Sequence, residues 1–209
     1  MKSITVEELQ SIFKGRIPAA QGIYRFYSVL VPLIRKEKEI YLLYEVRSEA
    51  LNRQPGEVCF PGGKVEEGET YLNCAIRETS EELNIPAENI KIISQLDFIH
   101  AYSDFTMYPF LGVIDYEDIE QIRVNHNEVK EVFLVPLSFL METEPLIYHF
   151  DVLPNVQEDF PYEKINAENG YNWRKGKLTV PIYQYEGRTI WGLTARITHN
   201  LINIIKNEL

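Results

Sequence analysis

GEVCFPGGKVEEGETYLNCAIRETSEELNI, residues 56–85, decides how this chain is read. It joins a strand-like piece, a glycine turn, an acidic loop and a helix crowded with glutamates. Glu78, Glu81 and Glu82 stand at i, i+3 and i+4, positions that share one face of an α-helix with Cβ atoms about 5–6 Å apart. Like charges so placed repel, which costs an isolated helix roughly a few tenths of a kcal/mol per close pair. A hard divalent cation reverses the sign, because clustered carboxylate oxygens suit Mg²⁺ or Mn²⁺.

At about 100° per residue, Leu72, Ala75, Ile76, Thr79 and Leu83 fall within roughly 100° of one another, the apolar stripe of a helix packed on a core. The three glutamates occupy a neighbouring sector centred roughly 120° away, so the stripe can be buried while the carboxylates line a cleft. Thr70 is placed as the N-cap, and Asn84 suits a left-handed C-terminal position with Pro86 blocking continuation. Pro61-Gly62-Gly63 permits a tight turn and close backbone approach. An isolated Glu-x-x-Glu-Glu is in most chains a solvated acidic face, so the wider spacing matters. Gly63, Glu69, Arg77, Glu78, Glu81 and Glu82 resemble the Nudix box, G-x5-E-x7-R-E-U-x-E-E-x-G-U, with U a bulky aliphatic residue. Ile85 fits the last U. Thr79 departs from the first aliphatic position but keeps a methyl, and Asn84 replaces the last glycine.

The rest of the chain sets bounds. Its 209 residues fit one domain, 1–209, with a divergent excursion at about 142–176. A net charge of −10 disfavours a nucleic-acid backbone or an anionic membrane as a general partner. No apolar run approaches the roughly 20 residues of a membrane span. MKSITVEELQ has no signal-peptide h-region, and Cys59 and Cys74 make neither a disulfide framework nor a zinc spacing. A cytoplasmic location is the expectation.

Residues 5–14 read as a short amphipathic helix stopped by Gly15. Strands are expected over 24–34 and 40–46, joined by the charged turn 35–39. Pro32 argues that the first of them ends early or lies at an edge. Further strands are expected over 90–101, 106–116 and 131–135, then a short helix from Pro136. Two more fall near 147–153 and 178–185, before a closing helix over 193–205. The fold class is mixed α/β.

Two other stretches narrow the resemblance. LLYEVRSEALNRQPGEVCFPGG, residues 42–63, is similar to the signature before the Nudix box in the coenzyme A diphosphatase branch, through Arg47, Ser48, Gly56, Glu57, Val58, Phe60, Pro61, Gly62 and Gly63. Gln54 and Asn52 replace a histidine and an arginine common there. Ile190-Trp191-Gly192-Leu193-Thr194-Ala195-Arg196-Ile197 resembles a segment of the same branch.

The resemblance implies a Nudix-like α/β/α sandwich with a mixed sheet, and hydrolysis of a small-molecule diphosphate with Mg²⁺ or Mn²⁺. Glu78, Glu81 and Glu82 would bind the metal, with the Gly63 carbonyl a further ligand. Arg77 would pair with Glu69 and hold the loop on the helix. Glu82 and Glu128 are the candidates for the general base, with a surface loop glutamate the competing reading of Glu128. Arg47 is the candidate for a substrate phosphate, since its fork suits phosphoryl oxygens, against a structural ion pair; Ser48 accompanies it. Glu57 is either an outer metal ligand or strand-edge charge. His100, His126, His149 and His199 lack ligand spacing and are read as non-catalytic. The expected reaction splits coenzyme A or its derivatives into 4′-phosphopantetheine and adenosine 3′,5′-bisphosphate. The alternatives are another nucleoside diphosphate-linked substrate and a non-catalytic nucleotide-binding module. A second copy of the chain, as a homodimer, is a candidate partner.

Overall fold

In the computed structural model, the described residues are 4–18, 21–22, 25–114 and 122–209. Helix α1, Val6–Phe13, opens them with a capping box: Thr5 accepts from the Glu8 N–H, and Glu8 accepts from the Thr5 N–H. Strands β1 (Arg25–Lys36) and β2 (Glu39–Arg47) form the expected hairpin, closed at the Lys36–Glu39 pair with Glu37 at positive φ. Tyr24, expected to begin β1, lies outside the described residues. Next come β3 (Val58–Cys59), β4 (Gly62–Lys64) and α2 (Tyr71–Leu83). They are followed by β5 (Ile90–Gln95), β6 (Ile99–Ala101), β7 (Phe105–Ile114), β8 (Val129–Pro136) and α3 (Leu137–Glu142). These eight strands make one mixed sheet ordered β3-β2-β1-β7-β5, with β4 on β1, β6 on β7 and β8 on β2. Strands β1 and β7 run parallel, and the other pairings are antiparallel.

The expectation for Pro32 is corrected: β1 runs through it and lies inside the sheet. Strand β4 covers Tyr27–Val29 and β2 covers Leu33–Lys36 on the same side of β1. Leu30 donates its N–H to the Pro61 carbonyl on that side. Pro32, two residues on, therefore aims its missing donor into the gap between the two partners, where no ladder bond is lost. The strand expected over 90–101 divides into β5 and β6, after a register shift between Ile92 and Ser94. Residues 115–116, the expected end of the strand over 106–116, lie outside the described residues.

Each face of the sheet is covered. Leu30, Ile34 and Leu43 pack against Ala75 and Leu83 of α2 and against Ile85. Val29, Val31, Leu42 and Tyr44 pack on the other face against Ala195, Ile197, Leu201 and Ile202 of α4 (Gly192–Glu208), with Leu140 of α3. Burying a Leu or Ile of this kind is worth about 1.5–3 kcal/mol. The Tyr44 and Thr198 hydroxyls share a buried hydrogen bond, 2.9 Å, that fixes α4 on the sheet. The chain is a mixed α/β protein with helices on both faces of the sheet.

Beyond α3, β9 (Leu146–Val152), β10 (Gly176–Tyr185) and β11 (Arg188–Ile190) form a second sheet ordered β11-β10-β9. The sequence reading did not include β11. Its signal is Glu186-Gly187, a two-residue loop at φ 48° and 76° between paired Tyr185 and Arg188, the conformation of a type I′ hairpin turn.

Candidate active site

Helix α2 places its glutamates as the periodicity requires. Thr70 caps its N-terminus by accepting from the Asn73 N–H, and Asn84 ends it at φ 50°, ψ 46°. Thr79, the departure from an aliphatic residue, is buried and donates to the Ala75 carbonyl at 2.7 Å, so its hydroxyl is satisfied within the helix. Ala75 and Leu83 are held in the core, and Glu78 and Glu82 turn toward a cleft of about 1160 Å³.

Gly62 and Gly63 form one wall. At Gly62, φ is +153°, and a Cβ would lie 2.6 Å from Val29 Cα as well as against the Ser28 carbonyl. The backbone of β4 can approach β1 this closely only without a side chain. A Cβ at Gly63 would meet the Glu78 carboxyl instead. The Gly62 N–H donates to Glu82 Oε2 at 2.8 Å, while the Gly63 carbonyl receives a long contact from Cys74 Sγ, 3.6 Å.

Arg77 acts as a brace. Its Nε and NH2 reach both oxygens of Glu69, 2.9 and 3.1 Å, and Glu69 also accepts from the Glu66 N–H. This is the pairing expected of Glu69 and Arg77, and the fork fastens the acidic loop to α2. Arg77 NH1 also pairs with Glu78 at 2.9 Å and Glu81 at 3.2 Å. Of these two, Glu81 has a side chain 57% exposed and is not part of the cleft lining. The three glutamates expected to act together therefore divide, Glu78 and Glu82 inside and Glu81 out.

Glu45 went unnoticed in the sequence reading. It is 1% exposed in the middle of β2, accepts from Cys59 Sγ at 3.1 Å, and its second oxygen has no partner among the described residues. The signal was available: the parity of β2 puts Leu43 on the α2 face, and Glu45 follows it by two residues. An acidic residue on the buried face of a central strand calls for a charge-related role. Burial pushes the Glu45 carboxyl up from the ordinary range against the Cys59 hydrogen bond and the Arg47 charge, while burial and then the Glu45 charge push Glu82 up, with the Gly62 N–H opposing. Burial likewise raises Glu78 against the pull of Arg77. Burial and the Glu45 charge raise the Cys59 thiol.

Glu128 lines the same cleft, held by Asn125 Nδ2 at 3.0 Å. Its loop is tied to α2 through Asn125 N–H to the Glu82 carbonyl, 2.8 Å, and Asn84 Nδ2 to the Arg123 carbonyl, 2.6 Å. Arg47 also lines the cleft, beside a register shift in the β2–β8 ladder. Ser48 does not line it. It is buried, donates to the His126 carbonyl at 3.0 Å and takes the Glu128 carbonyl on its N–H at 2.8 Å, so it shapes the loop that presents Glu128. Glu57 borders the cleft and accepts from Gln54 Nε2 at 2.9 Å. Of the histidines, His100 borders the cleft and pairs with Thr106, while His199 pairs with Tyr183.

The donor set fits a hard divalent cation. Glu78 and Glu82 are crowded, partly or wholly desolvated oxygen donors, with the Gly63 carbonyl beside them and the orphaned Glu45 oxygen behind. Among the described residues, no three His, Cys, Asp or Glu side chains already converge as a closed cage. No described helix is long and apolar enough to cross a membrane.

The comparisons with known proteins agree with this geometry. A family model described as NUDIX domain matches residues 25–155. A Mus musculus protein named peroxisomal coenzyme A diphosphatase NUDT7 is 36% identical over 151 residues, 70% of this chain and 62% of that protein. The chain thus spans less than two thirds of that relative's length. The Homo sapiens mitochondrial coenzyme A diphosphatase NUDT8 is 31% identical over 181 residues, 85% of this chain and 68% of that protein. A Citrobacter koseri protein named Nudix hydrolase NudL, itself uncharacterized, is 32% identical over 205 residues, 95% of this chain and 94% of that protein. The matched span holds the whole eight-stranded sheet, α2, β9 and every glutamate of the cleft wall, and on that ground the chain belongs to the NUDIX family.

Proposed function

We propose that the chain is a metal-dependent diphosphatase that hydrolyses coenzyme A or its derivatives to 4′-phosphopantetheine and adenosine 3′,5′-bisphosphate. The observation that carries the reading is the crowding of Glu78, Glu82 and Glu128 on one wall of a large cleft that Arg47 also lines. Carboxylates desolvated and set near one another are costly unless a cation joins them. Glu78, Glu82 and the Gly63 carbonyl are the groups to hold Mg²⁺ or Mn²⁺. Such an ion supplies neutralisation of phosphoryl charge and a lowered pKa for the attacking water. Arg47 orients a phosphoryl oxygen with its fork. Glu128, steadied by Asn125, takes the proton of the water, with Glu82 the competing base. Arg77 and Glu69 hold the loop and α2 in register. Glu81, turned toward Arg77, acts on the site through that brace.

The choice of coenzyme A rests on the run 42–63 and on the names of the relatives at 36% and 31% identity. The cleft adds a wall formed by Phe150 and Val152 of β9 with Leu178 and Val180 of β10. These residues offer an apolar surface to the pantetheine arm, which is the role proposed for the start of the 142–176 excursion. A reducing cytoplasmic location goes with the free thiols of Cys59 and Cys74.

The test is product analysis by mass spectrometry, with coenzyme A and a panel of nucleoside diphosphate compounds incubated with Mg²⁺, Mn²⁺ or chelator. Metal-dependent 4′-phosphopantetheine, formed faster than any panel product and lost in Glu82→Gln, is the expected result. Turnover of another panel member alone would keep the chemistry and remove the substrate. Unchanged turnover in Glu82→Gln would overturn the metal role.

A further inference from the structure

Arg196 is a cation of this cleft that nothing above employs. It lies on the second turn of α4, is half-buried, and lines the cleft with Arg25, Arg47, Arg53 and Lys177. Five cations border one cleft in a chain whose net charge is −10. Arg77 and Arg188 are paired with glutamates, whereas Arg196 makes no hydrogen bond or ion pair with any described residue. Arg196 is half-buried, its guanidinium faces the cleft without a protein partner among the described residues, and this partial burial lowers its proton affinity. Its backbone is firmly seated. Thr194 donates to the Val58 carbonyl of β3 at 3.2 Å, Thr198 donates to the Thr194 carbonyl, and Tyr44 meets Thr198 from β2. The side chain is therefore presented from a fixed platform, which lowers the ordering cost of binding.

The faces of the sheet indicate which anion it meets. Helix α2, with Glu78 and Glu82, packs on one face, and α4, with Arg196, packs on the other. The phosphoryl groups under attack belong to the α2 side, so a group at Arg196 is a different one. We propose that Arg196 binds a substrate phosphate outside the scissile diphosphate, namely the 3′-phosphate of the adenosine half, and so sets specificity for 3′-phosphorylated substrates. The inference rests on the coenzyme A reading for the identity of that phosphate.

The experiment compares wild type, Arg196→Gln and Arg196→Lys on coenzyme A and on 3′-dephospho-coenzyme A. Calorimetric titration of adenosine 3′,5′-bisphosphate and adenosine 5′-monophosphate is run alongside in chelator. Loss of a charge-assisted fork raises KM for coenzyme A by roughly ten- to a hundred-fold in Arg196→Gln. The expected pattern adds a nearly constant kcat, little change with the dephospho substrate, and partial recovery in Arg196→Lys. In the titrations, the preference of wild type for the bisphosphate disappears in Arg196→Gln. Equal losses on both substrates, or no loss on either, would overturn the proposal. If wild type fails to cleave coenzyme A yet shows an Arg196-dependent preference for the bisphosphate, the activity reading falls and this inference stands. Thermal midpoints of the variants separate a folding defect from a binding one.

Discussion

Gly62 and Gly63 are adjacent, yet alanine at each should fail in a different way. At Gly62 the added methyl meets backbone that cannot turn aside, Val29 Cα at 2.6 Å and the Ser28 carbonyl, and also the Val29 side chain, Cγ1 at 2.7 Å. The residue must also hold φ at +153°, a strain of about 1–3 kcal/mol for an L-residue. Overpacking against a fixed neighbour adds about 1–3 kcal/mol. Gly62→Ala should therefore lose about 2–6 kcal/mol of stability, a fall of roughly 4–24 °C in midpoint for a chain of this size. At Gly63 the methyl meets the end of a side chain, the Glu78 carboxyl, which can rotate away. Gly63→Ala should cost less than about 1 kcal/mol, but it expels Glu78 from its place, and displacing a reacting group by about an ångström lowers turnover on the order of a hundred-fold. Thermal scans and urea titrations would be read beside the coenzyme A assay. If Gly62→Ala melts with wild type, or Gly63→Ala is as unstable as Gly62→Ala, the account of the β4 turn is wrong.

Three other outcomes follow from the site. Arg77→Lys keeps the charge but loses the fork on Glu69, and urea unfolding should show a loss of about 1–2 kcal/mol; a change under a few tenths would mean the brace is ornamental. Burial raises the folded-state pKa of Glu45 above its ordinary value of 4.5, so the folded protein holds its proton more tightly than the unfolded chain. Its contribution to stability falls as pH rises through that window, so in chelator wild type should lose urea midpoint between about pH 5 and 8, and Glu45→Gln should lose less. Parallel profiles would dismiss the burial effect on the Glu45 carboxyl. Phe150→Ala removes part of the apolar wall and should raise KM for coenzyme A while sparing that for adenosine-only diphosphates; an equal rise for all substrates would free β9 of the pantetheine role.

Local rules made α2 legible from residue types alone. A 3.6-residue period, a threonine cap, an asparagine stop and glutamates at i, i+3 and i+4 are short-range features, so the helix and its carboxylate face were readable without a neighbour. The hairpin of β1 and β2 and the closing helix α4 came from the same kind of signal. What the sequence withheld depended on partners distant along the chain. Pro32 lies inside a strand because β4 and β2 share one side of β1 with a gap between them, a matter of sheet order rather than of proline. Glu81 pairs with Arg77 outside the cleft lining, and Ser48 turns inward to the 126–128 backbone. Glu45 and Arg196 look like one more acid on a strand and one more base on a helix. Only the packed sheet removes water from Glu45 and sets the half-buried fork of Arg196 in the cleft without a partner among the described residues, because burial is a property of the whole fold and not of a segment.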